Sequence, residues 1–117
     1  MKLLIDQTKT TPLIDFNATE NTFLIQGKSL SANAQSFYEP VFNWIDSNVE
    51  NKINLDFKLE YFNTSSHKQL LIFFKKLNAL NSENTICWYS ESEDEEMLEV
   101  GQDMEKLSGV KFEFKTL

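Results

Sequence analysis

Leu59-Glu60-Tyr61-Phe62-Asn63-Thr64-Ser65-Ser66-His67-Lys68 marks the handover from one secondary structure to another. Upstream, Ile53, Leu55, Phe57, Leu59 and Tyr61 alternate with Asn54, Asp56, Lys58 and Glu60, the period-two pattern of a half-buried strand. Downstream, Leu70, Phe73, Phe74, Leu77 and Leu80 recur at helical spacing, with Lys75, Lys76 and Asn78 on the opposite side. The join, Asn63-Thr64-Ser65-Ser66, consists of small polar residues that cap helices. A helix start of this kind exposes hydroxyls and free backbone N–H groups, and so offers a seat for a phosphate. Ser66 with Gln69 three positions on also fits a capping box.

The polar side of the 53–61 strand decides how the layers are arranged. A parallel strand covered by helices on both faces reads as a continuous apolar run, and this one does not. Ile86 and Trp88 repeat the alternation, as do Phe112 and Phe114 between Lys111, Glu113 and Lys115. The helices are therefore expected mainly on one face of one sheet. Thr22 to Gln26 reads as a strand ended by Gly27, and Leu13 to Asn17 as a short strand. Thr8 to Pro12 reads as a turn, and the path of residues 1–21 is otherwise left open. Ala34, Phe37, Tyr38, Val41, Ile45 and Val49 form a helical stripe that follows the cap-rich Ser29 to Asn33. Pro40 lies inside that stripe and predicts a kink or a break into two helices, because proline costs about 3 kcal/mol in a straight helix interior. Met97, Val100, Met104 and Leu107 predict a last helix over Glu96 to Leu107, with Gly109 in the left-handed position past its end. The element order predicts a single α/β domain over residues 1–117, with a four- to five-stranded, mostly parallel sheet.

Composition narrows the function. The net charge of −7 argues against a nucleic-acid backbone or an anionic membrane surface as partner. Ten Phe with only three Gly and two Pro describe a chain with a large aromatic core and few loops. The single cysteine, Cys87, cannot form an internal disulfide, which fits a reducing cytoplasm. Met1 to Ile5 turns polar at Asp6, too soon for a signal peptide, and no apolar run is long enough to span a membrane. No phosphate-binding glycine loop, dinucleotide fingerprint or paired-cysteine motif occurs, so no cofactor and no metal is implied.

Two stretches carry candidate chemistry. In Asn63-Thr64-Ser65-Ser66 the simplest reading is an N-cap, and the functional one makes Thr64 or a neighbouring serine a phosphoacceptor. Glu91, Glu93, Asp94, Glu95, Glu96 and Glu99 form an acidic run, read first as a solvated loop entering a helix whose start favours acids. In a parallel sheet the loops after Phe62 and Ser90 leave from the same edge, which places the two runs side by side as one possible docking surface. That surface comprises Asn63, Ser65, Ser66, Lys68, Asp94, Glu95, Glu96 and Glu99. An enzymatic alternative pairs Ser66 with His67 as a small hydrolase, although the glycine-bearing turn that presents a nucleophile is missing.

The string from Leu59 to Ser66, with Lys68 behind it, resembles the signature of the SiaC family of bacterial regulatory phosphoproteins. Phe23 to Ser29, Asn33 to Pro40 with Trp44, and Trp88-Tyr89 followed by Asp94, Glu96-Met97, Glu99 and Gly101 agree with it more loosely. The likeness runs from about Phe23 to Phe114 and departs at Ser31-Ala32, where the family tends to carry Pro-Glu. The resemblance implies a fold like the STAS domains of anti-anti-sigma factors, and it narrows the phosphoacceptor to Thr64. It further implies modification by a partner-switch serine/threonine kinase and release by a metal-dependent serine/threonine phosphatase. The unphosphorylated form would bind and activate a diguanylate cyclase in cyclic-di-GMP and biofilm signalling. A direct anti-anti-sigma-like antagonist of an anti-sigma kinase is the alternative within the same resemblance.

Overall fold

The alternation read from sequence sorts side chains between two unlike faces. In the strand β4 (Asn54–Phe62), Leu55, Phe57 and Leu59 are buried while Asn54 and Glu60 are exposed. The computed structural model describes residues 1–117. Around β4 stand β1 (Lys2–Ile5), β2 (Leu13–Asn17), β3 (Thr22–Ser29), β5 (Thr85–Ser90) and β6 (Lys111–Thr116), with helices α1 (Ala34–Asn48), α2 (Thr64–Leu80) and α3 (Glu95–Ser108) between them. Phe23, Ile25, Leu55, Phe57, Ile86, Trp88 and Phe112 share one buried cluster with Val41, Ile45, Phe73, Phe74, Leu77 and Met104 of the helices. The alternate strand residues, such as Gln26, Lys58, Glu60 and Lys115, face away from that cluster. The helices thus cover one face, as the polar alternation predicts.

The sheet has six strands in the order β1-β2-β3-β4-β5-β6. This corrects the expectation of four or five mostly parallel strands. Pairs β3–β4, β4–β5 and β5–β6 are parallel, each crossed by a helix. Pairs β1–β2 and β2–β3 are antiparallel. The reason is connection length, because a parallel crossover needs a dozen or more residues. Only Ala18 to Asn21 separate β2 from β3, and Asn21 takes φ 57° to close that turn. β1 escapes a sequence reading because its Lys-Leu-Leu-Ile is short and half exposed.

Two further expectations are corrected. α1 runs unbroken through Pro40 from Ala34 to Asn48. Pro40 is exposed, and so is Ser36, the residue whose carbonyl the ring deprives of its helix partner, so the break in the ladder lies on the solvent side of the helix. Gly27 does not end its strand, because β3 continues to Ser29. Instead the β3–β4 register slips there: Gly27 pairs with Leu59, but Lys28 pairs with Tyr61. Glu60 is the extra residue of a β-bulge, and Gly27, at φ 112°, supplies the backbone conformation opposite it. The bulge reverses the alternation. Tyr61, expected on the core side, is 58% exposed, and Phe62 turns inward against Phe57 and Trp88, with ring centroids 6.3 and 6.2 Å away.

Packing on the covered face is largely aromatic. Phe57 stacks on Trp88 at 4.6 Å and Trp88 on Phe112 at 5.6 Å, while Phe74 meets Phe57 edge-on at 5.5 Å. Such pairs add about 0.5–1.5 kcal/mol each beyond the area they bury. They fix β4, β5 and β6 beneath α2, and so fix the edge from which α2 and α3 start.

Candidate functional site at the start of α2

The cap of α2 is Asn63, not Ser66. The Asn63 Oδ1 accepts from the Ser66 N–H at 2.9 Å, and its carbonyl accepts from the His67 N–H at 2.9 Å. The helix therefore begins at Thr64, and the Ser66–Gln69 capping box is not used. A cap three residues earlier leaves Thr64 and Ser65 in the first turn, where backbone N–H groups have no partner within the helix. Asn63 also reaches across to the preceding unit, its Nδ2 donating to the Ser31 carbonyl at 3.1 Å. The Ala34 N–H donates to Ser65 Oγ at 3.4 Å, so the starts of α1 and α2 are stitched together. Asn33 caps α1, its Oδ1 accepting from the Ser36 N–H, so the Ser31-Ala32 departure costs the helix no cap.

The three hydroxyls separate by depth. Ser66 is fully buried. Its Oγ donates to the Ser29 carbonyl at 2.9 Å and accepts from Ser29 Oγ at 2.7 Å. Ser29 Oγ lies 2.8 Å from the Tyr38 hydroxyl. Because Ser29 spends its proton on Ser66, Tyr38 is the donor, and a single chain of protons links α1, β3 and α2. Burial pushes the Tyr38 phenol up to about 12. Ser65 is half-buried, and Thr64 alone of the three is exposed. Sequence reasoning missed the Ser29–Tyr38–Ser66 chain: Tyr38 lies on the apolar stripe of α1, and nothing in the sequence pairs Ser29 with a serine in another unit.

A groove of about 430 Å³ opens beside Thr64. Glu60, Tyr61, Phe62, Asn63, Thr64 and His67 line one side, and Asp94, Glu96, Met97 and Val100 line the other. The structure thus brings the hydroxyl run and the acidic run to one place, at the ends of β4 and β5. Asp94 is the cap of α3, its Oδ1 accepting from the Met97 N–H at 3.0 Å, and Glu95 and Glu96 occupy the first turn, where helix polarity favours acids. Lys68, Glu95 and Glu99 are exposed but lie outside the groove lining.

Trp88 holds α3 in position. Its Nε1 donates to the Met97 carbonyl at 3.1 Å, and Gly101 permits the approach, since a Cβ there would lie 2.6 Å from Nε1. The Ser66–His67 pair of the hydrolase reading does not form. Ser66 Oγ is committed to Ser29, and the His67 ring lies against Phe62 with centroids 6.0 Å apart. No group of three or more His, Cys, Asp or Glu side chains stands close enough to hold a metal ion. Cys87 is buried on the uncovered side of the sheet between Asn54 and Glu113, and burial pushes its thiol up.

The model of the family described as SiaC family regulatory phosphoprotein matches residues 5–117. No curated protein sequence matches the chain. Among solved structures, apo-SiaC from Pseudomonas aeruginosa superposes with a TM-score of 0.87 at 21% identity, covering 98% of each chain. A second structure, SiaC of Pseudomonas aeruginosa, gives 0.84 at 20% identity over 100% of this chain and 99% of the other. A chain in the crystal structure of the diguanylate cyclase SiaD in complex with its activator SiaC, from the same organism, gives 0.83 at 21% identity over 98% and 99%. At these identities the superpositions establish a shared fold. No helix is long and apolar enough to cross a membrane.

Proposed function

Because this chain belongs to the SiaC family of regulatory phosphoproteins, we propose that it is a non-enzymatic binding protein whose hold on a diguanylate cyclase is gated by phosphorylation of Thr64. The observation that carries the reading is the sorting of hydroxyls at one helix start. Ser66 is sealed into the core and Ser65 is tied to α1, whereas Thr64 stands exposed on the rim of a groove. A kinase can reach only a hydroxyl that meets solvent. A phosphate on Thr64 would meet the free N–H groups of the first turn, so the helix tolerates it, while the surface offered to a partner changes from a neutral hydroxyl to a near-dianion.

In this reading a partner-switch serine/threonine kinase adds the phosphate, and a metal-dependent serine/threonine phosphatase removes it. The unphosphorylated form engages the cyclase through Thr64's neighbours Asn63, Ser65 and Lys68 and through Asp94, Glu95, Glu96 and Glu99. Ser66 serves from inside by fixing the cap. The activator SiaC in the cyclase complex of similar fold supports this choice of partner. The STAS-like reading of the fold rests on the sequential β3–β6 run with its helices on one face.

The test is phosphate incorporation with the cognate kinase and ATP, read by intact mass. Wild type is expected to gain one phosphate, and Thr64→Ala none, while the variant still binds the cyclase. Uptake by Thr64→Ala equal to that of wild type would overturn the assignment.

A further inference from the structure

The groove has a chemistry that goes beyond its position beside Thr64. Its walls carry three carboxylates, Glu60, Asp94 and Glu96, and no lysine or arginine. The rest of its lining combines the rings of Tyr61, Phe62 and His67 with Met97 and Val100 and with the polar Asn63 and Thr64. None of the three carboxylates takes part in an ion pair, since the chain's one salt bridge joins Lys76 to Asp46 elsewhere. Carboxylates that share a groove with aromatic rings are complementary to one protein side chain above others. The guanidinium of arginine is planar, stacks on aromatic faces and forks onto carboxylates, whereas an ammonium does only the last of these, and as a point charge.

We propose that this groove receives an arginine side chain of the partner, and that a phosphate on Thr64 ends binding by standing in the arginine's place. The inference rests on the functional reading above and names the chemistry of its partner. The second half follows from the sign of the charges. A dianion added to a groove that already holds three carboxylates attracts a cation more strongly, so charge alone would tighten the complex. Thr64 lines the same groove, and the space its phosphate would fill is the space the guanidinium needs.

The direct test uses the full chain and two small probes, N-acetyl-arginine N-methylamide and its neutral isostere N-acetyl-citrulline N-methylamide, titrated by NMR. The arginine probe is expected to shift the amides of Phe62, His67 and Met97 with a dissociation constant roughly in the millimolar range, and the citrulline probe to shift them far less. Glu60→Gln and Glu96→Gln should each weaken the arginine probe several-fold. Equal shifts from both probes, or shifts centred elsewhere, would overturn the arginine assignment. Occupancy is tested by Thr64→Gln, which adds bulk without charge. It should weaken the arginine probe and the cyclase alike, and weakening confined to Thr64→Glu and relieved by salt would overturn the steric half. Cyclase binding untouched by Glu60→Gln and Glu96→Gln, yet ended by phosphorylation, sinks this inference and leaves the switch standing. Wild-type chain that fails to bind the cyclase sinks the functional reading, while the probe titration still decides the chemistry of the groove.

Discussion

At the scale of single residues, Thr64, Ser65 and Ser66 share a chemistry and differ in role. Ser66→Ala removes a buried hydroxyl that both donates to and accepts from Ser29, leaving paired groups unsatisfied. The expected loss is about 1–3 kcal/mol in urea unfolding. Thr64→Ala, at an exposed first-turn position, should change stability by no more than about 0.5 kcal/mol. A Thr64→Ala loss as large as that of Ser66→Ala would mean that depth does not separate their roles. Tyr38 adds a pH signature. Its phenol is raised from 10.0 to about 12 by burial, so in this range the folded chain holds a proton that the unfolded chain has released. The stabilising contribution is complete below pH 10.0 and is lost as pH rises through about 12. Wild type should lose roughly 2–3 kcal/mol more than Tyr38→Phe across that window, read from urea midpoints at each pH. Parallel curves for the two proteins would show that the phenol is not the responsible group.

At the scale of elements, two substitutions probe how the helices are seated. Gly101→Ala places a methyl 2.6 Å from the Trp88 indole nitrogen, so α3 must lift from β5 or Trp88 must turn. A loss of about 1–3 kcal/mol is expected, with a shifted Trp88 emission, and unchanged fluorescence and stability would show that the contact is slack. Pro40→Ala works in the opposite direction. It restores an N–H to an exposed helix interior position that already has helical geometry. Stability should rise by about 1–2 kcal/mol, the helix gain being partly offset by a more flexible unfolded chain, and a fall in thermal midpoint would show that the proline serves another purpose.

These elements also show what the sequence could disclose. The strand–cap–helix junction was legible because alternation, capping residues and helical spacing meet within a few positions. Pro40 misled because its cost depends on whether the freed carbonyl meets water, which a linear pattern does not encode. The Asn63 cap was hidden among four residues of equal capping preference. The bulge was hidden because Glu60 continues a flawless alternation, and only the partner strand reveals that it is surplus.

At the scale of the whole molecule, the one-sided sheet was readable because polar residues recur on three parallel strands in phase. The N-terminal antiparallel pairs were not, since pairing direction follows from connection geometry and β1 carries almost no pattern. The proximity of Thr64 to Asp94 and Glu96 was legible as topology, from the shared edge, but not as a groove with stated walls. The net charge also acts at this scale. A chain of −7 with a single ion pair gains more from screening its repulsions than it loses from screening that pair. Raising NaCl from low ionic strength to about 0.3 M should increase the urea midpoint, and a decrease would show that attractive surface pairs dominate.

The bulge at Glu60 carries a consequence for how the chain can vary in length. One surplus residue sets the parity of everything between Gly27 and the α2 cap. Deleting Glu60 would leave the same pairs on either side, Gly27 with Leu59 and Lys28 with Tyr61, so the ladder would close with Tyr61 still outward and Phe62 still inward. Flattening the bulge with Glu60 kept in the ladder would do the opposite, carrying Tyr61 toward Trp88, turning Phe62 to water and drawing Asn63 off the Ser31 carbonyl. The junction can lose its surplus residue and heal. It cannot absorb that residue into the ladder and still deliver Thr64, rather than a serine beside it, to the surface.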